Sequence, residues 1–232
     1  MLGSDPLIFI SRIIILFIAI SVHEFAHALT ANWLGDPTPR SQGRLTLNPR
    51  KHLDPFGSIM LIVAGFGWGK PVYTDPRYFR TDARTGMAMV AAAGPLSNLL
   101  MAYLASFPML LGLIPTEEIR YSISYCFFKS SEPLHQAFCA SLSPLTHFIG
   151  AFITLNLILM IFNLIPLPPL DGYRVAVGLL PDEWSAAIAR YEQQGPIILM
   201  LLIMAGIIFK FNLLWMIIMP LLRLLLNLLL PT

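Results

Sequence analysis

The chain has 232 residues, of which 56% are hydrophobic and 12% charged, with a net charge of +2. A soluble domain carries about 25% charged residues, so this composition excludes an ordinary soluble fold; nucleic acid is not an expected partner. It reads as an all-α polytopic membrane protein, with 1–232 expected to form a single membrane-embedded domain.

Asp5-Pro6 offers an N-cap and a first-turn proline for an opening helix over residues 6–34, which Gly35-Asp36-Pro37 stops. At 1.5 Å per residue, about 28 residues reach about 42 Å, enough to span a bilayer with tilt. The apolar run from Leu7 to Leu34 is too long for a signal peptide and is expected to be retained. Arg12 is expected to snorkel outward. Within this run His23-Glu24-Phe25-Ala26-His27 reads H-E-x-x-H. Residues four apart share a helix face, so both imidazoles reach one metal ion, and the pair suits zinc. Glu24, about 100° round the helix, is placed to act as a general base on water without ligating the metal. The competing reading is a pair of core histidines hydrogen-bonded to neighbouring helices, with Glu24 paired or protonated. Ionisable groups in hydrocarbon are costly unless compensated, and a dication compensates them.

A basic stretch follows. Of the 15 Lys and Arg, eight lie between Arg40 and Arg84 (Arg40, Arg44, Arg50, Lys51, Lys70, Arg77, Arg80 and Arg84), whereas Thr116 to Ser143 holds only Arg120 and Lys129. By the positive-inside rule the first segment is cytoplasmic and the second faces out. Phe56 to Trp68 is apolar but short for a crossing and reads as a re-entrant element over about 55–74. Its second half, Gly65 to Pro71 and then Val72-Tyr73-Thr74, suits either a β-hairpin dipping into the membrane or an interfacial loop anchored by Trp68 and Tyr73. A second span is expected over about 86–114, with small residues Ala91 to Gly94 for close packing, a kink at Pro95, and Asn98 on the face of Gly94. Cys126 and Cys139 both fall in the outward segment, as a disulfide or as two thiols.

Ser143-Pro144 opens a third span over 144–165, which Pro166, Pro168 and Pro169 end, with Asp171-Gly172 just beyond at the cytoplasmic edge; with Arg12 outward, His23 and His27 also fall in the half of the first helix nearer the cytoplasm. Residues 182–193 place Trp184, Ile188 and Tyr191 at helical spacing, as in an interfacial helix. Residues 196–230 read as two short spans, or as one kinked helix, interrupted by Lys210 and Asn212. A catalytic zinc takes three protein ligands and keeps one position open. Asp171 is the candidate third ligand beside His23 and His27, and His52 is its competitor; His135 and His147 belong to the opposite side.

These motifs carry a family resemblance: HEFAH in the first span, Gly94-Pro-Leu-Ser-Asn98 in the second, and Asn163-Leu-Ile-Pro-Leu-Pro-Pro-Leu-Asp171-Gly172 after the third. Together they resemble the site-2 protease family of intramembrane zinc metalloproteases. Leu47 to Gly57 and Gly67 to Pro71 are similar to a compact bacterial or archaeal subgroup without a PDZ or CBS domain. The resemblance implies one Zn2+ held by His23, His27 and Asp171, with Glu24 as base and Asn163 near the reacting carbonyl. It implies transmembrane protein substrates, a lipid bilayer as surroundings, and a bacterial or archaeal cell membrane with the site nearer the cytoplasmic face. Rival readings are a zinc transporter or metal-delivery protein, a catalytically inactive scaffold, and a membrane zinc enzyme acting on a non-peptide amide or ester.

Overall fold

The computed structural model describes residues 6–64, 67–128, 139, 141–209 and 213–230. Three helices are long and apolar enough to cross a membrane: α1 (Pro6–Trp33), α5 (Ala83–Leu110) and α7 (Pro144–Asn163). With its family, given below, this makes the chain an integral membrane protein. Between α1 and α5 lie α2 (Thr38–Ser41), α3 (Pro49–His52) and α4 (Pro55–Ala64). After α5 comes α6 (Thr116–Tyr121), continued by a π-helical stretch over Ser122–Phe127. Beyond α7 follow α8 (Asp171–Leu179), α9 (Asp182–Ala189), α10 (Gly195–Phe209) and α11 (Leu213–Leu229). The expected cap at Asp5 lies outside the described residues, as do His135 and the Lys210 and Asn212 interruption.

α5 packs against both α1 and α7, and this trio is the frame. It begins at Ala83, three residues before the expected start, because Asp82 accepts a hydrogen bond from the Thr85 backbone N–H at 2.9 Å and caps it there. It ends at Leu110 rather than near 114, where Gly112 turns the chain with a φ of 68°. Inside the helix, Gly86, Ala91 and Gly94 are buried and let neighbouring backbones approach, as small residues do where helices pack in lipid. α7 starts as expected, with Ser143 accepting from the Thr146 N–H at 3.0 Å, and stops at Asn163 ahead of the prolines.

Arg12 points toward the Thr116 to Ser143 segment expected to face out and ends against protein there. Its Nη2 approaches the carbonyls of Cys126 and Phe127 at 3.4 and 3.5 Å, and its guanidinium stacks on the Phe127 ring 4.5 Å from the centroid. The start of α1 is thereby tied to the segment after α6. Cys126 and Cys139 form a disulfide in that segment.

Of the two readings of the 55–74 region, hairpin or loop, the described residues show no hairpin. No strand forms among the described residues; Leu53 and Gly69 make an isolated antiparallel bridge, and the Lys70 N–H donates to the His52 carbonyl at 2.6 Å. Val72 to Thr74 has no ladder because side chains, rather than a strand, take the adjoining carbonyls. Arg44 Nη2 donates to Pro71 O at 3.0 Å and Gln42 Nε2 to Tyr73 O at 3.5 Å. α4, about 15 Å long at 1.5 Å per residue, begins just after Leu53 of the bridge and buries Leu61 in a cluster with Ile15 and Leu16 of α1 and Ala151 and Leu155 of α7. Arg44 also donates to the carbonyls of Lys51 and Lys70 and is only 3% exposed.

The C-terminal region, expected as two short spans or one kinked helix, forms the two helices α10 and α11. Gly195 sits against Pro168 beyond the end of α7, while Arg120 donates to Asn227 Oδ1 and to the Leu230 carbonyl. Arg120 lies at the other end of the bundle, since its neighbours Glu118 and Ser122 reach Thr146 and His147 in the first turn of α7. Leu214, Ile218 and Leu222 pack in one cluster with Ile153, Leu157 and Ile161. The start of α10 and the end of α11 therefore lie at opposite ends of the bundle. In α9 Trp184 is exposed, as is Tyr191 in the turn after it, and Ser185 faces the protein, its Oγ donating to Val177 O at 3.1 Å.

Candidate metal centre and active site

His23 and His27 lie one turn apart on α1, with ring centroids 4.6 Å apart. Each ring is fixed through Nδ1. His23 Nδ1 lies 2.6 Å from Asn98 Oδ1, and His27 Nδ1 lies 2.7 Å from the Val90 carbonyl, both partners on α5. A carbonyl oxygen only accepts, so both Nδ1 atoms carry the proton and both Nε2 atoms present a lone pair. Those lone pairs converge on Asp171 Oδ2, 3.0 Å from His23 Nε2 and 3.3 Å from His27 Nε2.

Asp171 arrives there through backbone restraint at both ends of its helix. Gly172 packs so tightly on the Leu164 and Ile165 backbone that a Cβ would not fit. At the far end of α8, Arg84 Nε donates to the Val177 carbonyl at 2.6 Å, its Nη atoms bond the Leu180 carbonyl and Asp182, and Gly178 lies against Ala88. Docking of α8 on α5 thus sets the depth of Asp171.

Three electron-pair donors converging without a proton between them repel, and a cation at their centre removes the repulsion. Ligand atoms about 2.0 Å from a tetrahedral zinc stand roughly 3.3 Å from one another; the three candidate atoms here lie within 4.8 Å of one another, and the two contacts to Asp171 are at 3.0 and 3.3 Å. The space is also kept open. A Cβ on Gly94 would stand 2.5 Å from His27 Nε2 and 2.6 Å from His23 Nε2. The residues present fit a zinc ion.

Glu24 is half-buried beside this centre and makes no protein hydrogen bond among the described residues. The Gly69 backbone lies over it, so close that a Cβ there would stand 3.4 Å from Glu24 Oε1. Asn163, in the last turn of α7, donates from Nδ2 to the Leu159 carbonyl at 2.9 Å, and its Oδ1 makes no hydrogen bond among the described residues. His52 is not grouped with the histidine pair and Asp171. It is fully buried, and its Nε2 contacts the Thr46 carbonyl at 2.6 Å, a loop-bracing position. Asn156 was not singled out by the sequence; it is fully buried on α7 and accepts from Asn98 Nδ2 at 3.0 Å. Its signal was an amide in the middle of an apolar helix.

The family model described as Peptidase family M50 matches residues 11–205. The chain belongs to peptidase family M50, the site-2 protease family. The curated "Putative zinc metalloprotease YwhC" of Bacillus subtilis (strain 168) is 40% identical over 190 residues, covering 82% of this chain and 78% of the relative. "Putative zinc metalloprotease Rip2" of Mycolicibacterium smegmatis is 32% identical over 191 residues, covering 80% of this chain and 63% of the relative. The protein of that name from Mycobacterium tuberculosis (strain H37Rv) is 31% identical over 194 residues, covering 81% and 64%. The chain thus spans less than two thirds of the Rip2 proteins. No solved structure matches it. As an M50 member it is a zinc-dependent metalloprotease.

Proposed function

We propose that this M50 metalloprotease hydrolyses peptide bonds in or near transmembrane helices of other membrane proteins, with residues 1–232 acting as one membrane-embedded domain. The observation that carries the reading is the convergence of His23 Nε2, His27 Nε2 and Asp171 Oδ2 inside a frame of apolar helices, with Glu24 alongside and making no hydrogen bond among the described residues. His23, His27 and Asp171 hold one zinc ion. Zinc there supplies a Lewis acid that activates water and draws charge from a carbonyl oxygen. Glu24 takes the proton of the attacking water and returns it to the leaving amine as the C–N bond breaks, so water ends as the new carboxyl and amine. Asn163 turns from Leu159 to offer its amide N–H to the developing oxyanion.

A helix hides its carbonyls in hydrogen bonds, so the substrate must unwind locally, and each backbone group freed in lipid costs several kcal/mol until it finds a new partner. The extended Val72 to Thr74 segment, free of any ladder among the described residues, supplies such partners. Two purified substrates reconstituted with the enzyme in liposomes test this, one carrying Asn-Pro near the cytoplasmic end of its helix and one Leu-Leu. The first is expected to be cut at least about tenfold faster; equal rates at equal membrane concentrations would reject unwinding as the selective step, and no metal-dependent cleavage of either would reject the protease reading.

Asp171→Ala is expected to weaken zinc binding by at least about 100-fold, since it removes one of three protein donors. Zinc content after dialysis against a buffered chelator measures it, and full occupancy in that variant would move the third-ligand assignment elsewhere.

The proposed membrane is a bacterial or archaeal cell membrane, with Arg40 to Arg84 and the active site toward the cytoplasm and Thr116 to Ser143 outside. The charge asymmetry supports this, as does the Cys126–Cys139 disulfide, which requires an oxidising compartment. The α4 region is proposed as a re-entrant element, and α10 with α11 as one interrupted crossing. In intact cells an impermeant thiol reagent is expected to label a cysteine at Glu117 and spare one at Arg50. The opposite pattern would invert the topology.

A further inference from the structure

We infer that Asn156 is a positioning residue for the metal centre, acting on His23 through Asn98; the inference rests on the assignment of His23 as a zinc ligand. The chain of bonds crosses all three core helices. Asn156 Nδ2 donates to the Phe152 carbonyl at 2.9 Å, Asn156 Oδ1 accepts from Asn98 Nδ2 at 3.0 Å, and Asn98 Oδ1 meets His23 Nδ1 at 2.6 Å. Asn98 and Asn156 are both fully buried, so no solvent competes for these groups.

The direction of the chain is dictated from its far end. A side-chain amide can turn over and exchange its donor for its acceptor, and an imidazole can carry its proton on either nitrogen. Phe152 O can only accept. Asn156 must therefore present its nitrogen to Phe152 and its oxygen to Asn98. Asn98 must answer with its nitrogen, whose second hydrogen faces the Ala19 carbonyl at 3.4 Å, and so must turn its oxygen to His23. His23 then carries its proton on Nδ1 and leaves the Nε2 lone pair toward Asp171. A carbonyl on α7 thus selects the metal-binding tautomer of a histidine on α1, two amides away. His27 has no such relay, because Val90 O contacts it directly.

Without the Asn156 acceptor, only the longer contact to the Ala19 carbonyl at 3.4 Å still holds the Asn98 nitrogen, so Asn98 turns over more readily and offers Nδ2 to His23, which favours the tautomer whose Nε2 is protonated and cannot bind zinc. Removing an outer hydrogen-bond partner of a ligating histidine costs about 10- to 100-fold in metal affinity. The test is zinc affinity by chelator competition on the full chain purified in detergent, comparing wild type with Asn156→Leu, Asn98→Ala, the double variant and His23→Ala. Asn156→Leu is expected to weaken binding about tenfold and Asn98→Ala at least as much, with the double variant within about twofold of Asn98→Ala alone, because the two amides act in series. Additive losses would make Asn156 an independent packing residue, and unchanged affinity in Asn156→Leu would remove it from the metal site; either overturns the inference. His23→Ala separates the two levels: if it leaves zinc affinity intact, the ligand assignment fails rather than the relay. Should Asn156→Leu not fold, Asn156→Asp serves instead. Buried and protonated, that carboxyl keeps both bonds and is expected to hold zinc within about threefold of wild type; it should also leave the d–d absorption of the cobalt-substituted protein unchanged, while Asn98→Ala shifts it. A cobalt spectrum unmoved by Asn98→Ala overturns the inference as well.

Discussion

Replacing Glu24 with Gln is expected to leave zinc content and fold intact while cutting turnover roughly 100- to 10,000-fold, the usual contribution of a positioned general base. The amide is nearly isosteric, so packing is kept; it cannot accept the water's proton, so the chemistry is lost. Glu24 suits this experiment because it makes no protein hydrogen bond among the described residues, so the exchange strands no partner. Paired assays of zinc content and cleavage rate in liposomes decide it. A variant that keeps a tenth of the wild-type rate would remove Glu24 from the proton transfer. A variant that loses its zinc would instead show Glu24 holding the metal.

The second large effect is expected at Gly94. A methyl group there would stand 2.5 Å from His27 Cε1 and Nε2 and 2.6 Å from His23 Nε2. Ordinary contact needs about 3.5 Å, so one or both rings must retreat by about 1 Å. Neither has slack, since His27 is held by Val90 O and His23 by Asn98 Oδ1 on the same helix that carries residue 94. Metal sites tolerate ligand displacements of about 0.2 Å. Gly94→Ala is therefore expected to lower zinc affinity at least about 100-fold and to abolish activity with it, while overpacking costs the fold only about 1–3 kcal/mol. Chelator competition and thermal unfolding of the same preparation separate the two effects. Wild-type affinity in this variant would mean that the metal does not lie between the two rings.

The parts of this site that were legible in the sequence are those fixed by a rigid local rule. Helical period alone brings His23 and His27 to one face, and a proline run that cannot continue α7 delivers Asp171 just beyond it. What was not legible depends on the register between helices. Gly94 could be read as a small residue allowing close approach, but not as the position whose missing Cβ leaves room at the two imidazoles. Asn156 has no sequence spacing to any chemistry-bearing residue, and its role exists only because α5 places Asn98 between it and His23. Arg44 entered the charge pattern as one basic residue among eight; its guanidinium is buried on the backbone carbonyls of Lys51, Lys70 and Pro71. The strand expected at Val72 to Thr74 followed side-chain propensity, which yields where side chains rather than a neighbouring strand take the adjoining carbonyls.

The bridge between Leu53 and Gly69 bears on how the chain is threaded during biosynthesis. A segment whose two ends are joined adds nothing to the parity of membrane crossings, however apolar its middle. On the proposed re-entrant placement, α4 is expected to act neither as a stop-transfer sequence nor as a start signal, with α5 taking its orientation from α1. Excising residues 54–68 and joining Leu53 to Gly69 would then leave every later helix facing the way it does now, while removing Leu61 from its cluster with Ile15, Leu16, Ala151 and Leu155 and disturbing the roof over Glu24.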